Sequence, residues 1–175
     1  MARILIVYST TDGHTRKICE RLRAVIERQA HEVRLAPVAE VADADLEPCD
    51  KIVVGASIRY GRHRPAVMEF MQRNAALLNR KPGAFFSVNV VARKPEKNEP
   101  HTNPYVRKLL GRLSWRPREV AVFAGKLDYP RYGFLDRMII RFIMLLTGGP
   151  TDPETVVEFT DWGKVEAFGE VIARM

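Results

Sequence analysis

Short apolar runs rich in β-branched residues recur along the chain, and amphipathic stretches separate them. Ile4-Leu5-Ile6-Val7-Tyr8 lacks the apolar/polar alternation of a half-exposed strand, so it reads as a strand buried on both faces. Lys51-Ile52-Val53-Val54-Gly55-Ala56 has the same character, and Val33 to Val38 is a weaker version of it. Ala84 to Val88, Val120 to Ala124 and a short piece at Val156 to Thr160 complete the strand set. Helical spacing fills the gaps. From about Thr15, Ile18, Leu22, Val25 and Ile26 fall on one stripe, with Arg16, Lys17, Glu20 and Arg23 outside it. Further helices are predicted from Pro65, placed in the first turn, to Leu78, and from Tyr105 to Leu113. A last one runs from an Asp161 N-cap through Ala173.

Strands alternating with helices call for an α/β architecture: a doubly wound, five-stranded parallel sheet covered on both faces. No internal repeat, low-complexity tract or linker divides the chain, so residues 1–175 are expected to form a single domain.

Composition narrows the class. With 46% hydrophobic and 28% charged residues, the 175-residue chain matches a soluble globular protein and excludes a disordered one. Arg3 is followed by only five apolar residues and no small-residue cleavage site, so no signal peptide is expected. Cys19 and Cys49 are too few and too far apart for a zinc site or disulfide framework, and read as free thiols in a reducing cytoplasm. The net charge of +7 and pI near 9.7 ask for an anionic partner: nucleic acid, a membrane surface or a small acidic substrate. The basic run from Arg93 to Arg118 holds only Tyr105 and Trp115 as aromatics and no recognition motif, which argues against nucleic acid.

In an open parallel sheet, ligands bind beyond the carboxyl ends of the strands. The loop Ser9-Thr10-Thr11-Asp12-Gly13-His14-Thr15 offers hydroxyls, a glycine and a helix N-terminus, which together make a phosphate site without lysine. The competing reading is a helix-capping turn; the GxxxxGK[ST] pattern of a P-loop is absent. After the third strand, Gly55-Ala56-Ser57-Ile58-Arg59-Tyr60-Gly61 provides glycines for close backbone approach and a tyrosine ring for a flat cofactor. After the fourth, Ser87-Val88-Asn89-Val90-Val91 presents an asparagine and backbone groups that can reach the polar edge of a flavin.

These stretches, with Ala92-Arg93-Lys94-Pro95-Glu96-Lys97, Trp115-Arg116-Pro117, Tyr129-Pro130-Arg131-Tyr132 and Thr160-Asp161-Trp162, carry a resemblance over the whole chain. The chain resembles the flavodoxin-like, menaquinone-dependent protoporphyrinogen IX dehydrogenases of bacteria. The resemblance implies FMN as cofactor, oxidation of protoporphyrinogen IX to protoporphyrin IX in heme synthesis, and transfer of the electrons to a membrane quinone, menaquinone or ubiquinone. The expected FMN residues are Ser9, Thr10, Thr11, Asp12, Gly13, His14, Thr15, Ser57, Ile58, Arg59, Tyr60, Gly61, Ser87, Val88, Asn89 and Val90.

A flavin carries the redox step itself, and neither a catalytic triad nor a metal cluster is visible or required. His14, His31, His63 and His101 are scattered and read as surface residues, although His63 lies just past the flavin loop. The substrate's two propionates call for cations: Arg59, Arg62 and Arg64 after the third strand, Arg93, Lys94 and Lys97 after the fourth. A solvated basic rim is the alternative.

An insertion at about 126–155 resembles the one that interrupts the last strand of long-chain flavodoxins. Its segment Phe134 to Leu146 is too short to span a bilayer and bears only Asp136, Arg137 and Arg141 as a narrow polar stripe. It is expected to lie in the membrane interface or line the substrate and quinone site, against the alternative of packing on the sheet edge or on a second subunit. The protein is therefore expected to be cytoplasmic, peripheral on the inner face of the cell membrane, with homo-oligomerisation left open. Two rival functions remain at this level: an electron-transfer flavoprotein, disfavoured by basic charge, and an NAD(P)H:quinone reductase, for which no nicotinamide site is identifiable.

Overall fold

The computed structural model covers residues 1–175. In chain order the elements are β1 (Arg3–Ser9), α1 (His14–Glu27), β2 (Glu32–Pro37), β3 (Lys51–Arg59), β4 (Arg62–His63), α2 (Pro65–Arg73), α3 (Ala75–Arg80) and β5 (Gly83–Asn89). These are followed by α4 (Pro104–Arg112), β6 (Glu119–Ala124), β7 (Lys126–Asp128), α5 (Phe134–Thr147), β8 (Val156–Glu158) and α6 (Trp162–Arg174). The main sheet has the parallel order β2-β1-β3-β5-β6.

Both faces of that sheet are covered, which is why its strands lack alternation. Ile4, Ile6 and Tyr8 of β1 pack with Ile18, Leu22 and Ile26 of α1 and Phe168 and Ile172 of α6. Leu5 and Val7 point the other way, into a core completed by Phe70, Met71, Leu109 and the fully buried Trp115.

Gly55 was expected to open the backbone to a ligand, and its missing side chain serves the core instead. It stands opposite Phe86 in the β3–β5 register, and a Cβ there would collide with the Phe86 ring. That ring is fixed between Phe123 and Phe168 and cannot swing away. Gly55→Ala should therefore cost about 3 kcal/mol through overpacking. Urea unfolding measures it, and an unchanged midpoint would contradict this packing account.

Three further differences from the expected elements have local causes. The helix predicted over Pro65 to Leu78 is split at Asn74, whose side-chain amide donates to Phe70 O (3.1 Å) and to Asp43 Oδ1 (2.9 Å). Strand β3 runs three residues beyond Ala56 and turns back as a hairpin into β4. The strand expected at Val156 to Thr160 ends at Glu158 and stays out of the main sheet: β8 pairs antiparallel with β7. The insertion thus hangs from the end of the last sheet strand as a closed excursion, and the chain does not rejoin the five-stranded sheet after it. Leu127, Tyr129, Tyr132 and Met144 give the excursion a small core of its own.

Candidate active site

The carboxyl ends of β1, β3, β5 and β6 and the inner face of α5 enclose one cleft. Its first wall is the loop after β1. Gly13 takes φ +85°, a left-handed conformation that L side chains resist, and its N–H donates to Thr10 Oγ1 (2.9 Å). Helix α1 then starts with no side-chain cap and no acid in its first turn. Lys17 is the first of its residues whose N–H finds a backbone carbonyl, that of Gly13, so the preceding donors face outward together. Thr15 is only 1% exposed, yet its hydroxyl has no partner, and neither has the buried Ser57 hydroxyl on β3. Both residues line the cleft. Orphaned donors at a positive helix terminus are the elements of an anion site.

His14 is anchored rather than free. The Thr160 hydroxyl donates to Ala124 O (2.6 Å), so its oxygen accepts from His14 Nε2–H (2.7 Å). Burial lowers the His14 pKa, opposed by Glu158, which sits 3.7 Å from Nδ1.

The second wall is the β3–β4 hairpin. Its two-residue turn has φ +51° at Tyr60 and +75° at Gly61, the mirror-image turn that matches strand twist. Arg59 lies directly across from Arg62, a repulsive pairing of like charges. Two carboxylates offset it: Arg59 Nη1 donates to Asp12 (2.9 Å) and Nη2 to Asp136 (3.0 Å). The guanidinium also stacks over Tyr132 (5.0 Å) and Tyr60 (5.6 Å), and the Tyr60 hydroxyl donates to Asp136.

At the end of β5 a buried polar chain supports the third wall. Asn89 Nδ2 donates to Ser87 Oγ (3.2 Å), while Asn89 Oδ1 accepts from Ala92 N (3.0 Å) and Asn103 Nδ2 (3.1 Å). Ser87 Oγ is 2.9 Å from His63 Nε2. His63 is buried, not on the surface as its sequence context suggested, and burial pushes its pKa down to about 4. Unfolded, it titrates near 6.5 and takes up its proton first. Stability is therefore full above about pH 6.5 and falls as the pH drops through 4, by about 3 kcal/mol in all. Urea midpoints at pH 7 and 4.5 should diverge less in His63→Gln than in the native chain; equal losses would refute the assignment.

The fourth wall is the insertion. Lys126, Leu127, Tyr132, Ile140, Ile143 and Met144 line the cleft. None was singled out as a site residue from the sequence. Two signals pointed to them, the Phe134 to Leu146 segment expected to line the substrate and quinone site and the Tyr129 to Tyr132 motif, in which Tyr129 donates to Pro150 O (2.6 Å) and the Tyr132 hydroxyl accepts from Asp128 N (3.1 Å). Of the polar stripe of α5, Asp136 and Arg137 turn towards the protein, while Arg141 stays exposed at its edge. Arg137 donates to Tyr129 O and Tyr132 O, and Arg141 to Thr151 O. Its outward face is apolar, with Leu135 70%, Phe142 61% and Leu145 68% exposed.

The expected cofactor residues mostly converge. Thr10, Thr11, Asp12, His14, Thr15, Ser57 to Gly61 and Val88 to Val90 line the cleft, while Ser9, Gly13 and Ser87 do not. Of the cations expected to bind propionates, only Arg59 is on a wall. Arg93 is committed elsewhere: it donates to Val90 O (3.0 Å) and to Thr147 O (3.2 Å), the last residue of α5. Arg62, Lys94 and Lys97 lie outside the walls, and Arg64 reaches Thr11 Oγ1 at 3.5 Å.

Residues 5–154 match the flavodoxin domain. The chain is 44% identical to the protoporphyrinogen IX dehydrogenase [quinone] of Escherichia coli strain K12, over 99% of this chain and 96% of that protein. It belongs to the protoporphyrinogen IX dehydrogenase family. A Leishmania major relative of the same name is 42% identical over 99% of this chain and 75% of its own length. Among solved structures, flavodoxin 2 of Bacillus cereus superposes with a TM-score of 0.60 at 18% identity, covering 99% of both chains. The two-electron reduced flavodoxin of Megasphaera elsdenii gives 0.59 at 14%, covering 98% and 99%. At these identities the two structures establish the fold alone. As a flavodoxin-domain member of the protoporphyrinogen IX dehydrogenases, the chain takes a flavin cofactor.

Proposed function

We propose that the cleft holds FMN and that the protein oxidises protoporphyrinogen IX to protoporphyrin IX in heme synthesis, delivering the electrons to menaquinone or ubiquinone. The observation that carries the cofactor assignment is the buried, unpartnered Thr15 hydroxyl at the uncapped N-terminus of α1. A dianionic phosphate is the group that such a site fits, and Thr10, Thr11, His14 and Thr15 would hold it. Ser57, Ile58, Tyr60, Gly61, Asn89 and Val90 would hold the ring. A bound flavin supplies hydride acceptance from carbon, so the chain needs no acid or nucleophile of its own. Its residues orient and exclude water: Leu127, Ile140, Ile143 and Met144 form an apolar wall suited to a macrocycle.

The outward apolar face of α5 supports peripheral attachment to the cytoplasmic face of the membrane, the place where a lipid-soluble quinone is met. No helix is long and apolar enough to cross a membrane. The net charge of +7 favours anionic lipid.

Anaerobic mixing with protoporphyrinogen IX should bleach the flavin absorbance, and menaquinone and ubiquinone analogues should restore it. A flavin left oxidised by protoporphyrinogen but reduced by NADPH would replace this reading with a nicotinamide-dependent quinone reductase.

A further inference from the structure

The two cations that line the cleft are already paired, Lys126 with Asp128 at 3.2 Å and Arg59 with both Asp12 and Asp136. Arg59 is thus shared between two carboxylates, and Asp12 remains on Nη1 whatever occupies Nη2. Asp12 belongs to the loop after β1, whereas Asp136 lies in the first turn of α5, on the insertion. Asp136 takes both Arg59 Nη2–H and the Tyr60 hydroxyl. The positive φ that the hairpin turn requires at Tyr60 fixes where its side chain leaves the backbone, beside Arg59. A guanidinium edge and a phenol hydroxyl, converging on one carboxylate at the wall of the cleft, are also the donors that a ligand carboxylate needs.

We infer that Asp136 is a built-in occupant of the substrate's carboxylate subsite. An entering propionate takes Arg59 Nη2 and the Tyr60 hydroxyl, and Asp136 moves into water with the first turn of α5. The inference rests on the reading that the cleft accepts a dicarboxylic tetrapyrrole. Charge is conserved in the exchange, one carboxylate for another, so no buried cation is left unpaired. The Asp136 side chain is already 39% exposed, which makes its transfer to solvent cheap. The device selects for acids: a ring without carboxylates has nothing to offer Arg59 in place of Asp136, and that end of α5 stays docked.

Soret-band titrations of the FMN-loaded protein with protoporphyrin IX and with its dimethyl ester test the exchange. Asp136→Asn should tighten binding of the diacid about tenfold by weakening the internal competitor, and leave the ester unchanged. Arg59→Gln should weaken the diacid about tenfold and make Asp136→Asn silent when the two are combined. A merely structural Asp136 would shift diacid and ester together. Asp136→Ser serves as a second variant if the amide disturbs folding, which thermal melts report. Failure of either variant to favour the diacid, with native binding intact, overturns the exchange alone. A native protein that shifts the Soret band of neither porphyrin overturns the exchange and the tetrapyrrole reading together.

Discussion

Thr15→Asp should purify as a folded, colourless protein. Thr15 lies in the first turn of α1 with its hydroxyl buried and unpartnered at the proposed phosphate site. Aspartate is close to threonine in volume, and its carboxylate fills the same space with the charge that the helix terminus attracts. The fold should therefore hold or gain slightly, because an acid in the first turn is stabilising. The cofactor meets a fixed negative charge where its phosphate must sit, and loses the donors that the carboxylate now occupies. Loss of two or more charge-assisted hydrogen bonds plus like-charge repulsion amounts to about 3–5 kcal/mol, or more than a hundredfold in FMN affinity. Flavin fluorescence titration of the apoprotein measures it. A variant that keeps native FMN affinity would move the phosphate away from α1.

The second large effect concerns the membrane. Leu135, Phe142 and Leu145 project from α5 into solvent. Replacing all three with glutamine removes apolar side chains each able to contribute about 1.5 kcal/mol or more when buried in an interface. Binding to vesicles containing anionic phospholipid should fall by about three orders of magnitude in a flotation assay, because some 4 kcal/mol of partition energy is lost. Unfolding midpoints should stay close to where they were, since these side chains are mostly exposed in the isolated chain. Unchanged flotation refutes the membrane assignment. A triple variant that converts a native dimer into a monomer in sedimentation, with flotation absent in both, would give this face to a second copy of the chain.

Strands such as Ile4 to Tyr8 were readable because a buried parallel strand needs a continuous apolar run, and little else produces one. The phosphate loop was readable for a related reason: its chemistry is local, confined to seven consecutive residues at the end of a strand. The rest of the cleft depends on distances that a linear pattern does not encode. Tyr132 and Ile143 reach the cleft only because the insertion folds back over the ends of β5 and β6. Arg93 looks like a ligand-binding arginine in the sequence, and nothing local reveals that its donors go to Val90 and Thr147 carbonyls. The Asn74 break was missed because apolar spacing continues undisturbed through it, while the cause lies in Asp43, far away in the chain. The orientation of α5 was the hardest feature to read. Sequence showed a narrow polar stripe, and only tertiary contacts show that its Asp136 and Arg137 turn towards the protein.

That orientation bears on what the insertion depends on. The helix is gripped at its start by Arg59, through Asp136, and at its end by Arg93, through the Thr147 carbonyl. Arg59 closes β3 and Arg93 lies in the turn that follows β5, so the seating of α5 on the cleft depends on the ends of both strands, beyond the small core the excursion has of its own. Nor is it portable. Grafted onto a shorter flavodoxin that lacks arginines at those two places, residues 126–158 would retain their greasy exterior with no moorings beneath it, and the graft would aggregate. The insertion and its two anchoring arginines form one structural unit, written in three separate stretches of the chain.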